Sequence, residues 1–429
     1  MKEVSKKEIV CYGIGDFACN GFCAIVFSYL MFFYTDVAGL SLNIVGGIIF
    51  ISRLWDAVGC LVMGRLIDKT CTRWGKARPY LLWTSIPVCI MLVALFFIPF
   101  QNNNAKSWYA LVIAIIYSLF YSGLSVAYST MMSCMTRDDK ERLVFNVAKN
   151  ISSNLGAFFV TSVTLHGVDF FGRGDQEKGF MLVMFLFAVL YFVLILICFK
   201  NTCERVELSS NSLPLKDSFK IAAKNRCWVV LCVLEFFMLL GMTMRNQGTL
   251  YYASYYLENE NLGTILLSMS TFLAVPMAVL VTKAAERIGK VQCITTGNVL
   301  LIAGMGGMYL AKKNIPLVLA GHIIASVGNG LASGLIFVMI AEVVDYSESQ
   351  TGIRPQGLLT STVSLMMKLG SACAGVLSAK ILELGGYTAG SEQSSKGMIA
   401  ITTNYFGGPI ILAGICLIVA QFYKLNKRE

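Results

Sequence analysis

Charge is scarce in this sequence. Of its 429 residues only 14% are Asp, Glu, Lys or Arg, against about a quarter in soluble domains, which excludes an ordinary water-facing shell. There are 2 histidines, and His166 and His322 stand too isolated to suggest a metal or a proton relay. The 14 cysteines include no two pairs at metal-ligand spacing. Most sit inside apolar runs (Cys19, Cys23, Cys60, Cys89, Cys134, Cys198, Cys232, Cys373 and Cys416) and read as small reduced hydrophobes. The opening MKEVSKKEIV leads straight into an apolar run without a cleavage-site pattern, so no removable signal is expected. No run offers a nucleophile, a metal cluster or paired catalytic acids, which argues against an enzyme. No separate soluble domain is visible.

Apolar residues are abundant instead, at 56% of the chain. A membrane span needs about 20 mostly apolar residues, and such runs recur along the whole length. Twelve spans are predicted, at roughly 10–37, 42–67, 79–99, 108–134, 144–168, 179–199, 227–257, 262–283, 291–311, 315–342, 357–384 and 402–423. The fold class is therefore all-α, a twelve-helix membrane protein. It divides into a six-helix bundle over 1–199, a cytoplasmic linker over 200–226 and a second six-helix bundle over 227–429. Within the linker, Leu215, Phe219 and Ala222 mark one face of a short surface helix.

The net charge of +10 suggests a nucleic-acid partner until its distribution is followed. Roughly 23 Lys and Arg fall in alternate loops and the termini and about 6 in the opposite loops, which places both ends in the cytoplasm. The rich side includes Lys6, Lys7, Lys69, Arg73, Lys76, Arg78, Arg137, Lys140, Arg142, Lys283, Arg287 and Lys290.

The halves resemble one another faintly. Tyr29-Leu-Met-Phe-Phe-Tyr34 closes the first span and Tyr251-Tyr-Ala-Ser-Tyr-Tyr256 the seventh. The fourth and tenth spans run into charged segments closing on Arg142 and Arg354. Two related six-helix bundles match the build of the major facilitator superfamily. The loop Gly64-Arg-Leu-Ile-Asp68-Lys69, followed by Arg73, Gly75-Lys76 and Arg78-Pro79, is similar to that superfamily's loop signature. Gly64 is expected to let helices approach. Asp68 is expected to meet a helix N-terminus or a loop arginine, as part of a gate-side brace with Arg73, Arg142 and Arg354. An ordinary basic loop is the plainer alternative.

Ionisable residues inside spans are costly and usually have a partner or a job. Here they are Asp16, Arg53, Asp56, Lys149, Glu235, Arg245 and Lys368. At about 1.5 Å per residue, Asn20, Asp56 and Lys368 lie about 15–20 Å into their spans, near the midplane. Asp16 and Asn20 share a helix face, as do Arg53 and Asp56. The latter two could simply neutralise each other. Thr360, Ser364, Lys368 and Ser371 form one stripe. Ser122, Ser125 and Ser129, flanked by Tyr121 and Tyr128, form another, which could line a polar path or only pack helices. Glu235 is left without a role.

Tyr12-Gly-Ile-Gly-Asp16-Phe17, Phe33-Tyr34-Thr35-Asp36-Val37, Arg53-Leu-Trp55-Asp56-Ala57, Arg73-Trp-Gly75-Lys76, Asp345-Tyr-Ser-Glu348 and Lys368-Leu-Gly370-Ser371 together resemble the glycoside–pentoside–hexuronide:cation symporter family. These are the melibiose-carrier relatives of the major facilitator superfamily. The resemblance covers nearly the whole chain. It implies a symporter importing a sugar, glycoside or sugar acid by alternating access across the bacterial inner membrane, with no cofactor beyond a coupling proton or sodium ion. It further implies a monomer among membrane lipid, with a small-molecule solute and no nucleic acid as its partners. Asp56 matches a cation-site carboxylate, Lys368 a lysine near sugar and ion, and Lys149 sits at or beside a substrate-binding arginine. Asn20 stands where the melibiose carrier has a sugar-binding acid. Asp16, Arg245, Tyr128 and Ser125 are further solute-site candidates.

The departures from the family pattern are chemical. Cys60 replaces the second acid of the cation site, Ser125 an acid on the fourth span, and Ser129 and Ser333 two tryptophans of the sugar site. A thiol is a poor sodium ligand, so one remaining carboxylate fits a proton better. An uncoupled facilitator, or a carrier of lysolipids with the same fold, stays open.

Overall fold

The computed structural model describes residues 5–70, 72–136, 138–205, 226–351 and 356–423. They are almost entirely helical. Among them, eleven helical segments are long and apolar enough to cross a membrane, and a further helix of 29 residues, Glu260–Ile288, is a twelfth by length. The described residues fall into two compact units, one through residue 205 (with Ala389–Ser391) and one from residue 226 on.

The first unit contains α1 (Lys6–Phe32), α2 (Leu42–Lys69), α3 (Arg78–Leu95), α4 (Asn103–Met135), α5 (Asp139–Gly172) and α6 (Gln176–Asn201). The second contains α7 (Arg226–Tyr251), α8 (Glu260–Ile288), α9 (Lys290–Ala311), α10 (Ile315–Ser333), α11 (Ile336–Thr351), α12 (Gln356–Leu384), α13 (Ser395–Thr402) and α14 (Gly408–Ala420). Helix starts follow local chemistry. Ser5, Asn102, Asp175, Asn259, Asn314 and Ser394 each stand just before a helix and accept a backbone N–H with the side-chain oxygen, satisfying donors that the helix cannot.

The repeat anticipated from the aromatic runs is visible inside each unit. In the first, α1 packs on α5 and α6, α2 on α4, and α3 on α4 and α6. In the second, α7 packs on α12 and α14, α8 on α10, and α9 on α10 and α14. Both leading helices end in a five-residue π turn, Phe33–Val37 after α1 and Tyr252–Tyr256 after α7. The aromatic runs that matched in sequence lead into or cover these turns.

Some boundaries differ from expectation. Helix α5 extends about a turn beyond 144–168 at each end, through the charged Asp139–Arg142 and through Asp169–Gly172. The segment expected over 315–342 is one candidate span, Ile315–Val344, made of two helices broken after Ser333 at Gly334. The last span begins at Ser395, seven residues before 402, and includes the π turn Thr403–Gly407. The surface helix expected around Leu215, Phe219 and Ala222 lies outside the described residues.

Amphipathicity here runs in reverse of a soluble helix. On α2, Ile51, Trp55, Val58 and Val62 are exposed at spacings of four, three and four, one stripe suited to lipid. Ser52 and Asp56 are buried on the other side, against α4.

At one end of the first unit, Glu204 fixes the α2–α3 connection. Its carboxylate accepts the backbone N–H groups of Lys76 at 2.8 Å, Ala77 at 2.9 Å and Arg78 at 2.6 Å, placing a negative charge on the N-terminus of α3. Arg78 donates Nη2 to the Phe199 carbonyl at 2.6 Å. Beside this, Arg205 forms a two-pronged pair with buried Glu8, at 2.9 and 2.7 Å. Gly64 does not serve helix approach, since a Cβ there would meet nothing within 4 Å.

Candidate functional site

Two buried polar clusters lie within the first unit, joined through α4. In one, Asp56 on α2 faces Ser122 on α4, both buried. Ser122 Oγ lies 2.6 Å from Asp56 Oδ1, 2.8 Å from the Asp56 carbonyl and 2.7 Å from the Ser118 carbonyl. A hydroxyl has one hydrogen, so it serves one of these three acceptors at a time. Arg53 and Asp56 line the same small cavity with Ser118, Tyr117 and Tyr121. The Arg53 guanidinium stands 3.9 Å over the Phe27 ring, an arrangement that screens a cation in an apolar setting.

In the other cluster, α1, α4 and α5 meet. Tyr12 and Tyr128 stack at 4.5 Å. Tyr128 donates its hydroxyl to the Tyr12 carbonyl at 2.6 Å, and Lys149 Nζ stands 5.9 Å from the Tyr128 ring centre. Asp16 lies beside Ser153 and within electrostatic reach of Lys149. Asn20 donates Nδ2 to the Ser153 carbonyl at 2.7 Å, which leaves its Oδ1 to accept. The close approach of α1 and α5 requires Gly156, because a Cβ there would collide with the Phe17 carbonyl. Tyr121 connects the clusters: it lines the Asp56 cavity and donates to the Cys19 carbonyl at 3.3 Å.

The sequence-derived candidates Asp16, Asn20, Tyr128 and Lys149 thus come together, and Asp56 sits in the adjoining cluster. Ser125 is half-buried. The member of its stripe that touches Asp56 is Ser122, and Ser129 is exposed. Ser153 was legible from spacing, one turn from Lys149 on the same face.

In the second unit, Lys368 is half-buried on α12, the helix that packs along α7. Arg245 is buried on α7 and donates Nη2 to Ser270 Oγ at 3.1 Å. Ser270 Oγ lies 2.9 Å from His322 Nε2. His322 is therefore not isolated: it reaches Arg245 through one serine, a contact between α8 and α10 that spacing along either helix does not reveal.

Of the expected brace residues, Arg73 stacks on Trp74 at 4.8 Å and Arg142 donates Nε to the Thr136 carbonyl at 3.0 Å. The Asp68 side chain and Arg354 lie outside the described residues. The carboxylate on the α3 N-terminus belongs to Glu204. A lone acid in a basic stretch just after an apolar run was its only signal.

Among the described residues, eleven segments able to span a membrane and a twelfth helix of spanning length, in two units of like packing with charged residues buried between helices, define a membrane solute carrier. The chain belongs to the MFS/sugar transport protein family, whose model matches residues 11–427. It is 36% identical over 425 residues to an isoprimeverose transporter of Lactiplantibacillus pentosus, covering 97% of this chain and 88% of that one. It is 29% identical over 433 residues to a glucuronide carrier protein homolog of Escherichia coli (strain K12), covering 100% and 94%. The fold is similar to the crystal structure of the nucleoside transporter NupG, with a TM-score of 0.69 at 13% identity, covering 98% of this chain and 100% of that one. The protein is a multi-pass membrane transporter and not an enzyme.

Proposed function

We propose that this protein imports a sugar, glycoside or sugar acid by alternating access, coupled to a proton through Asp56. Its place is the bacterial cytoplasmic membrane, with both termini on the cytoplasmic side, and it works as a monomer. Asn20 and Lys149 in the first unit and Lys368 in the second are the solute ligands, supported by Asp16, Tyr128, Ser125 and Arg245.

The observation that carries the coupling role is the Ser122 hydroxyl set among three acceptors. With Asp56 ionised, Ser122 donates to its Oδ1. With Asp56 protonated, the carboxylic acid donates to Ser122 Oγ, and the hydroxyl turns to the Ser118 carbonyl. In both states the Ser122 hydroxyl and Asp56 Oδ1 keep a hydrogen bond with no movement of heavy atoms, as a group that loads and unloads one proton inside an apolar body requires. The names of the two relatives support the solute class.

Uptake by the purified protein in proteoliposomes, under an imposed proton gradient and then a sodium gradient, tests this. The wild type should accumulate solute with the proton gradient, and Asp56→Asn should only equilibrate it. Unchanged accumulation by the variant removes Asp56 from the mechanism. Accumulation driven by sodium alone replaces the proton.

A further inference from the structure

The exposed face of α2 changes character toward its C-terminal end. Ile51, Trp55, Val58 and Val62 form the stripe suited to lipid. At the next steps of three and four residues stand Arg65 and Lys69, both exposed. At the other end the same face begins with Ile44, also exposed, and no charge lies near it. The stripe is apolar for most of its length and cationic at one tip.

Depth gives that tip its meaning. With Asp56 near the midplane, Arg65 lies about 14 Å and Lys69 about 20 Å toward the membrane surface, at 1.5 Å per residue. The hydrocarbon ends about 15 Å from the bilayer centre, and the headgroup layer about 20–22 Å. Both charges therefore fall in the layer of lipid phosphates, which Arg65 reaches by extending its side chain outward.

Helix α3 stands beside this tip. Met63 of α2 and Thr84 of α3 both lie against Gly123 of α4. Thr70 and Tyr80 share a hydrogen bond of 2.8 Å between their hydroxyls. The Tyr80 ring meets Trp83 edge-on at 5.4 Å, and Trp83 is exposed, as an indole at the headgroup boundary commonly is.

The two cations have no described acid to neutralise them. No described carboxylate forms an ion pair with Arg65 or Lys69. Glu8 and Glu204, at the same end of the unit, are spent on Arg205 and on three backbone N–H groups. With Asp68 counted, Arg65 to Lys69 remains net positive.

We propose that this tip of α2 is a site for one anionic phospholipid. Its phosphate meets Arg65 and Lys69, its acyl chain runs along Val62 and Val58, and Trp83 borders the headgroup. The guanidinium fork suits phosphate oxygens. A second positive charge one turn away favours a headgroup of net negative charge over a zwitterion. The site requires only that the chain lies in a bilayer, whatever solute it carries.

Native mass spectrometry tests this on the purified full chain, delipidated in detergent and then given equal amounts of phosphatidylglycerol and phosphatidylcholine. The wild type should retain one phosphatidylglycerol with about tenfold preference. Arg65→Gln with Lys69→Gln should abolish that preference. Lys6→Gln with Lys7→Gln, two exposed cations at the same end, should keep it. No preference in the wild type overturns the site, and so does a preference that survives Arg65→Gln with Lys69→Gln. Equal loss in both double variants marks diffuse attraction and overturns it too. A second copy of the chain held in place of lipid, or inorganic phosphate bound as well as the lipid, does the same. If Arg65→Gln with Lys69→Gln does not fold, tryptophan fluorescence decides. Phosphatidylglycerol with brominated chains should quench the wild type more than brominated phosphatidylcholine. That excess should vanish in Trp55→Phe with Trp83→Phe; an excess that persists there puts the lipid elsewhere and overturns the site.

Discussion

The Glu204 carboxylate occupies the space that a Cβ on Gly75 would fill. Gly75 also has φ of +109°, a region that side chains disfavour. The turn between α2 and α3 thus brings three N–H groups to one acid only because position 75 has no side chain. Gly75→Ala should cost about 1–3 kcal/mol from strain and lost hydrogen bonds. Glu204→Gln, which turns a donor toward those N–H groups in one of its two flips, should cost about 1–2 kcal/mol. Thermal unfolding in detergent measures both, and a midpoint within error of wild type for either contradicts this account.

Ser122→Ala should leave the fold nearly intact but remove the hydroxyl 2.6 Å from Asp56 Oδ1. Removing such a hydrogen bond costs about 1–2 kcal/mol, so the pH profile of proton-driven uptake should move by about one unit. An unmoved profile would show that the hydroxyl does not act on Asp56.

Tyr128→Phe keeps the stack on Tyr12 and loses the 2.6 Å hydrogen bond to the Tyr12 carbonyl. A loss of about 0.5–1.5 kcal/mol is expected, together with wild-type solute affinity if Tyr128 acts through its ring. Weaker solute binding by Tyr128→Phe would instead assign a role to the hydroxyl.

The Glu8–Arg205 pair should be insensitive to alkaline titration. Hydrogen bonding to Glu8 raises the Arg205 guanidinium above its ordinary value. A cation raised on folding contributes its stability below the unfolded value and loses it only as pH climbs through the folded one. The gap between Glu8→Gln and wild-type unfolding midpoints should therefore stay constant from pH 7 to about 10. A gap that narrows across that interval would mean the pair is not the source of the stability.

Much of this was legible before any coordinates. Span count follows from hydropathy, because the bilayer sets a length that few soluble helices meet. Asp16 and Lys149 were found because a charge in oil is conspicuous by itself, and Asn20 because it stands one turn from Asp16 at the depth of the midplane. Ser122, Ser270, His322 and Glu204 were not singled out as partners, since each acts through a contact between helices far apart in sequence, from 25 residues for Arg245 with Ser270 to 128 for Lys76 with Glu204. Periodicity places a residue on a face and does not say which helix that face will meet. The break at Gly334 was missed because apolar residues continue on both sides of it.

Trp55 and Asp56 are neighbours in sequence yet look into different media, the first 45% exposed and the second 5%. Successive residues of a helix stand about 100° apart. Rolling α2 about its own axis by one residue would thus, in one sense, push the carboxylate into hydrocarbon or, in the other, drag the indole into the polar seam. Whatever movement carries solute, a spin of α2 against α4 would break this division between lipid and seam.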